Sequence, residues 1–338
     1  MEKAELNQIW SDLEKDSRPT DAHGSLTRRI ASDSGFDIRG VVEKPSNRRG
    51  LLVSVGGEHH DLARRVPECS GFEFKRLGSE SAGNTTYLLR SNEARHFELF
   101  AGVISDVLVR MCSATSEQDG VSRLVARLIQ WQTFFRSGQP DGLTEEEQRG
   151  LYGELWFFKR LLEAGLFADL PVRSWVGPIG GNQDFQFPSC AVECKVTIGA
   201  QDQRLRISSE RQLDSTGTSA LFVLHHSLDA RVGSGENLNG IVKSIRVKLD
   251  ELGVDREAFE DLLFRAGYLD LHWALYESVC YTHREVNYFW VKDNFPRIVE
   301  TELRTGVQEV KYSISVTECK HFSVAEEAVL SRITNHNV

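Results

Sequence analysis

The chain has 338 residues, 40% hydrophobic and 26% charged, with a formal net charge of −9. That is enough chain for one large domain or two to three modest ones of about 150 residues each, and too acidic to hold nucleic acid everywhere by bulk attraction. Any DNA contact must use a local basic patch, to which a partner protein or Mg²⁺ could be added to offset the acidic site. No apolar run approaches the roughly 18 residues of a membrane span, Met1-Glu2-Lys3-Ala4-Glu5-Leu6 lacks an apolar signal-peptide core, and the six cysteines include no Cys-x-x-Cys pair. A cytoplasmic protein with reduced thiols and no membrane association is expected.

Residues 4–15 place Leu6, Ile9, Trp10 and Leu13 at helical spacing, which predicts a packing helix. Over residues 26–91 short strands at 36–42, 50–55, 72–77 and 86–89, separated by Pro-Ser-Asn, Gly-Gly and Gly-Asn turns, predict a small β-rich unit. Its cluster Arg28, Arg29, Arg39, Arg48 and Arg49 is read as a solvated face in preference to a phosphate contact. Residues 94–111 and 121–135 have apolar positions at intervals of three and four, two helices that bridge this unit to the rest of the chain. Trp131, Phe134 and Phe135 are assigned to packing, not base stacking.

Thr144 and Glu147 form the pattern of a capping box, opening a helix that runs to 163 or 164 and stops at Gly165. Its apolar stripe is Leu151, Leu155, Phe158 and Leu162, and Glu154 falls inside it. A carboxylate there is costly unless it reaches solvent, pairs with an arginine or serves a site; Gly153 beside it allows close approach of helix and sheet. A short strand at 172–176 and a glycine-containing loop lead to residues 182–197. There two alternating runs flank the turn residues Pro188-Ser189 and predict a β-hairpin. In its second strand Glu193 and Lys195 share a face with Ala191 and Thr197, opposite Val192, Cys194 and Val196. A four-residue loop sets Asp184 opposite Glu193, a two-residue loop sets it opposite Lys195, and either gathers two acids and an amine on one face, whereas an odd loop without a bulge would turn Asp184 away. Close carboxylates repel unless a cation separates them, and oxygen donors of this kind suit Mg²⁺, or Mn²⁺ in its place. A lysine beside them orients or activates water, so the pattern points to metal-assisted phosphodiester hydrolysis.

Asp184, then Glu193-Cys194-Lys195, is similar to the signature of the PD-(D/E)XK nuclease superfamily. A wider set, Gly150-Leu151-Tyr152-Gly153-Glu154-Leu155, Trp175-Val176-Gly177-Pro178, Gln183-Asp184-Phe185, Ile207-Ser208-Ser209 with Gln212-Leu213, and Phe295-Pro296-Arg297, resembles a bacterial family of uncharacterised PD-(D/E)XK motif proteins across most of the chain. The resemblance implies an α/β, restriction-endonuclease-like αβββαβ core with a mixed sheet, and a DNA substrate met in restriction or phage-defence systems. It implies that Asp184, Glu193 and the Cys194 carbonyl hold the metal, that Lys195 acts on water, and that Glu154 supplies a further acid from the helix before the hairpin. Gln212, Ser209 and Arg206 are then candidate DNA contacts. Double-strand cleavage would call for two sites, hence a homodimer or other defence-system subunits as partners.

Beyond the hairpin, a strand at 204–207 is expected to extend the sheet, Ser208 or Ser209 to cap a short helix through 213, and 220–227 to form another strand. His225 and His226 point to opposite faces and are assigned to structure. A helix at 238–252 carries Lys243, Arg246 and Lys248, a DNA-facing patch or a solvated face. A helix at 255–266, strands at 275–281, 286–292 and 307–317, and a last helix capped by Ser323 and Glu326 complete the chain. Glu318-Cys319-Lys320 repeats the Glu-Cys-Lys triplet, but a continuous strand at 307–317 would hold Glu309 and Glu318 roughly 30 Å apart. The expected organisation is a β-rich N-terminal region with bridging helices (1–140), a nuclease-like core (141–230) and a C-terminal α+β extension (231–338). The expected function is a Mg²⁺-dependent DNA endonuclease; the alternative is a DNA-binding or scaffolding subunit that does not cut.

Overall fold

Alternating apolar residues and frequent turns give the N-terminal part its strands. A computed structural model describes residues 3–20, 24–30, 36–56, 62–66, 68–78, 84–92, 97–137, 142–166, 168–199, 201 and 203–334, in two units, Met1–Pro140 and Asp141–Val338. Strands β1 (Ser25–Ile30), β2 (Asp37–Glu43), β3 (Arg48–Gly56), β4 (Phe72–Gly78) and β5 (Asn84–Ser91) form an antiparallel sheet in the order β1-β2-β3-β5-β4. The sheet is accompanied by helices α1 (Lys3–Lys15), α2 (Leu62–Arg65), α3 (Phe97–Cys112) and α4 (Glu117–Ser137). Helix α1 buries Leu6, Trp10 and Leu13, and the Trp10 indole donates to the Gly50 carbonyl at 3.0 Å. Arg28, Arg29, Arg39 and Arg49 are held in ion pairs with Asp12, Asp37 and Glu14, and Trp131, Phe134 and Phe135 are buried. Strand β1 was not expected from the pattern. The expected helix start at Ala94 and parts of the turns at 56–57 and 83–84 lie outside the described residues.

The second unit begins with α5 (Glu145–Glu163), whose Thr144–Glu147 capping box forms as expected. After α6 (Leu170–Ser174), strands β6 (Phe185–Gln186), β7 (Ala191–Ile198), β9 (Leu221–Val232), β10 (Glu236–Asn237) and β11 (Val279–Trp290) build a mixed sheet in the order β10-β11-β9-β7-β6. Strand β7 runs parallel to β9, and the remaining pairs are antiparallel. Helices α7 (Leu238–Glu251) and α8 (Glu257–Arg265) follow β10, and β13 (Ser323–Val324) adds to β11 ahead of α10 (Glu326–Thr334). One sheet face packs on α5 and α7 through Val192, Leu224, Leu155 and Ile241. The other carries a second core of Ala191, Leu221, Val223 and Phe289, closed by a two-stranded ribbon of β8 (Arg204–Ile207) and β12 (Tyr312–Ser315), with α9 (Val316–Cys319) next.

Several expectations are corrected here. Residues 172–176 are not a strand. Pro171 sits in the first turn of α6, the Ser174 hydroxyl bonds back to the Leu170 carbonyl at 2.7 Å, and only Trp175 bridges to Phe185. Strand β8 pairs with β12 and not with the main sheet. The segment after it is a run of turns, not a helix, because the Ser208 amide is taken by the Gln212 side chain at 2.8 Å. The two strands expected at 275–281 and 286–292 are one strand, β11, with an irregularity between His283 and Glu285 that the alternation could not carry across. The strand expected at 307–317 is only β12, since Glu309 takes φ 57° and Val316 begins α9. Ser323 pairs with Phe289 instead of capping α10. His225 bonds Thr197 at 2.8 Å and His226 bonds His283 at 3.0 Å, both buried. Arg246 on α7 is held by Glu260 and Asp270. Among the described residues no helix is long and apolar enough to cross a membrane.

Gly153 is the contact point of α5 with the sheet: a Cβ there would lie 2.6 Å from Val196 Cγ2 and 3.1 Å from the His226 ring. Overpacking of this kind costs about 1–3 kcal/mol, against a helix-propensity gain of up to about 1 kcal/mol for replacing glycine. Gly153→Ala is therefore expected to destabilise the protein. Gly150→Ala on the same helix, where a Cβ meets nothing within 4 Å, is expected to stabilise it by about 0.5–1 kcal/mol. Urea midpoints of the two variants in the reverse order would contradict the close approach.

Candidate active site

The hairpin takes the four-residue loop: Gln186 stands opposite Ala191 and Phe185 opposite Val192, and the Phe187 amide donates to the Cys190 carbonyl at 2.8 Å. Strand β6 stops there, so the edge of β7 beyond Val192 has no β6 backbone beside it. The Asp184 side chain takes that place, accepting the Cys194 amide at 2.7 Å on Oδ2. The loop before it wraps the same residue, with the Val176 and Gly177 amides both donating to the Asp184 carbonyl at 2.9 and 3.0 Å. Asp184 thus sits at the sheet edge, between the face of Glu193 and the face of α5.

Glu193 projects from the face of β7 that also bears Ala191, and is 1% exposed. Its Oε1 meets Lys195 Nζ at 2.7 Å, as two residues apart on one strand face allows, while its Oε2 is buried without a hydrogen-bond partner. Lys195 Nζ also donates to Gln212 Oε1 at 3.2 Å. Glu154 arrives from α5, one residue after the glycine contact, and accepts the Trp175 indole N–H at 2.7 Å on Oε2. A Cβ at Gly177 would lie 3.0 Å from Asp184 Oδ1 and 3.3 Å from Glu154 Oε2, so both carboxylates border the space beside this glycine and a side chain there would crowd them.

Burial and neighbouring negative charge act together on these acids. Burial, then Asp184, pushes Glu154 well above the usual carboxylate range, with the Trp175 bond opposing. Burial raises Asp184 against the pull of the Cys194 amide and Lys195. Burial, then Asp184, lifts Glu193 to about 8 even with Lys195 beside it. Burial works to lower the Lys195 ammonium, and Glu193 more than offsets it, so its pKa is raised.

Glu154, Asp184, Glu193, Cys194 and Lys195 line one cleft of about 730 Å³, together with Gln212 and Arg206. Ser209 is not on that lining: its hydroxyl accepts the Arg211 amide at 3.2 Å, and Ser208 lines the cleft instead. Gln212 has its amide oxygen engaged by Lys195 and the Ser208 amide, which makes it a support for the lysine. Trp175 and Gly177 were not singled out as site residues from sequence, though both belong to the Trp175-Val176-Gly177-Pro178 run that carries the resemblance. Among the described residues no group of three or more His, Cys, Asp or Glu is already gathered as a metal cage. The chemistry of the donors still fits a hard divalent cation: three carboxylates, one with an unpartnered buried oxygen.

Residues 6–317 match the model of a family described as "Putative PD-(D/E)XK family member, (DUF4420)". Searches of curated proteins and of solved structures return no match.

An acid whose pKa is raised by folding keeps its proton longer in the folded than in the unfolded state. Its contribution is therefore unimpaired at low pH, and stability declines as pH rises above the ordinary glutamate value. Glu154→Gln keeps an acceptor for Trp175 and removes the charge. The variant is expected to exceed the parent by roughly 0.5–2 kcal/mol near pH 8, with the gap narrowing toward about pH 5. Urea unfolding at the two pH values checks this, and a variant less stable than the parent at the higher pH would contradict the electrostatic account.

Proposed function

The chain belongs to this family, and we propose that it is a Mg²⁺-dependent DNA endonuclease, with Mn²⁺ able to substitute, acting in a restriction or phage-defence system. The observation that carries the reading is the meeting of Glu154, Asp184, Glu193 and Lys195 in one cleft, with a buried Glu193 oxygen left unpartnered. In the same reading α5, the β6–β7 hairpin, β8 and β9 follow the order of an αβββαβ plan in which β8 has moved out to pair with β12 and turns stand in place of the second helix.

Asp184 and Glu193 would hold the ion, with the main-chain carbonyl of Cys194, which lies on the same strand edge as its N–H, as a further oxygen. When bound, the ion supplies polarisation of the scissile phosphate and a lowered pKa for the attacking water. Lys195 enters the reaction as an ammonium because Glu193 keeps it charged. It orients water and stabilises negative charge building on the phosphate, and does not take the proton itself. Gln212 fixes the lysine from the far side. Trp175 holds the Glu154 carboxylate in place, where it deepens the negative potential that favours a cation.

DNA, unmodified and modified, incubated with the protein and Mg²⁺ or Mn²⁺ is expected to be cut. The rate should fall by at least about 10²-fold in Glu193→Ala and Lys195→Ala, with circular dichroism unchanged. An intact chain that cuts no DNA, with candidate partner subunits supplied, would refute the proposal. DNA affinity with no cleavage under any metal would favour instead a binding or scaffolding subunit, a reading the Lys195–Glu193 ion pair supports by partly neutralising the site without metal.

A further inference from the structure

The ribbon of β8 and β12 has two unlike faces. Leu205, Ile207 and Ile314 point into the second core and are buried. On the other face Arg206 stands opposite Ser313 and Arg204 opposite Ser315, and all four are exposed. Arg204, Arg206 and Ser313 line the cleft that holds the acids. The cleft is therefore polarised: Glu193 on β7, Glu154 on α5 and Asp184 just before β6 lie inward, while the arginines lie outward on the ribbon, with Glu146 the exposed acid beside Arg206.

These arginines are not committed to the fold. Arg204 has no ion pair among the described residues. Arg206 meets Glu146 at 2.8 Å, but the two side chains are 76% and 67% exposed, and such a pair is worth about 0–1 kcal/mol, so a phosphate can displace it. Two residues apart on one strand face, the guanidinium groups start roughly 6.6 Å apart, comparable with neighbouring phosphates on one nucleic-acid strand. Serine hydroxyls beside them add neutral donors to phosphate oxygens. On a chain of net charge −9 a basic face on the wall of an acidic cleft has no role in general attraction; it works only as a local contact.

We propose that the outward face of the β8–β12 ribbon, through Arg204 and Arg206 with Ser313 and Ser315, is a phosphate-binding rail that holds a DNA backbone along the cleft, independent of base sequence. The proposal rests on the nuclease reading of that cleft and adds a binding surface to it.

The test is fluorescence anisotropy with a short labelled duplex, titrated with salt in metal-free buffer and again with Ca²⁺. Removing one charge-neutralised phosphate lowers the slope of log affinity against log salt by about 0.9. Arg204→Ala and Arg206→Ala are each expected to reduce the slope by about one and weaken binding roughly three- to tenfold. Arg204→Lys and Arg206→Lys should retain the slope, because a lysine still neutralises a phosphate. Arg265→Ala, at the exposed end of α8 and away from the cleft lining, should change neither. A parent protein that binds, with slope and affinity unaltered in the double alanine variant, overturns the rail and leaves the nuclease reading standing. A parent protein that neither binds nor cuts DNA overturns both.

Discussion

Like charges repel more strongly as they leave water, and the second unit places three carboxylates and one ammonium where water is scarce. Glu193, at 1% exposure, bears the sharpest form of this conflict. Each acid receives one strong donor: the Cys194 amide for Asp184, the Trp175 indole for Glu154 and the Lys195 ammonium for Glu193. That set leaves a Glu193 oxygen bare and all three pKa values raised. The site is locally destabilising, and apolar packing on both faces of the β7–β9–β11 sheet must offset it.

The shortness of β6 is what lets the charges meet. In a longer hairpin, backbone would pair with Cys194 and the Asp184 side chain would stand out from one face of the sheet. Because β6 begins only at Phe185, a carboxylate takes the position of the missing backbone. Glu193 then reaches this edge from one face of the sheet and Glu154 from the other. A sheet normally separates the residues on its two faces, and only at an edge can side chains from both come together. A side chain at Gly153 would press on Val196 and His226 where α5 meets the sheet, and one at Gly177 would crowd the Asp184 and Glu154 carboxylates.

Much of this is legible locally. The capping box, the glycine after α5, the hairpin loop and the shared face of Glu193 and Lys195 all rest on contacts between residues close in sequence, where periodicity and turn chemistry carry information. Some failures are local, as where Pro171 and the Ser174 bond to the Leu170 carbonyl turn residues 172–174 into α6 or where Glu309 takes φ 57°; the others concern partners far along the chain. The alternation in Arg204–Ile207 correctly makes a strand, yet nothing in four residues says that it pairs with Tyr312–Ser315 and leaves the main sheet. Gln212 illustrates the same limit. Its spacing from Ser209 suggests a helix, whereas its side chain bridges the Ser208 amide and the Lys195 ammonium. The role of Trp175 depends on a contact with Glu154 across 21 positions, which no local pattern records.

The second Glu-Cys-Lys triplet separates spelling from chemistry. A long straight strand would keep its acids apart, but that strand does not exist: β12 ends at Ser315, Glu309 takes a left-handed backbone conformation and Glu318 is on α9. The triplet is nevertheless unlike the first. Of its three residues only Cys319, at the end of the short helix α9, turns inward, its thiol donating to the Ser315 carbonyl at 3.4 Å, while Glu318 and Lys320 stay exposed. On β7 the same three residues alternate across a strand packed on both sides, so the glutamate is forced out of water and the lysine must answer it. A charge that stays in water is screened and asks nothing of its neighbours. The same charge on a buried strand, beside the end of a truncated one, must find a counter-ion, and that requirement distinguishes a site from a coincidence of letters.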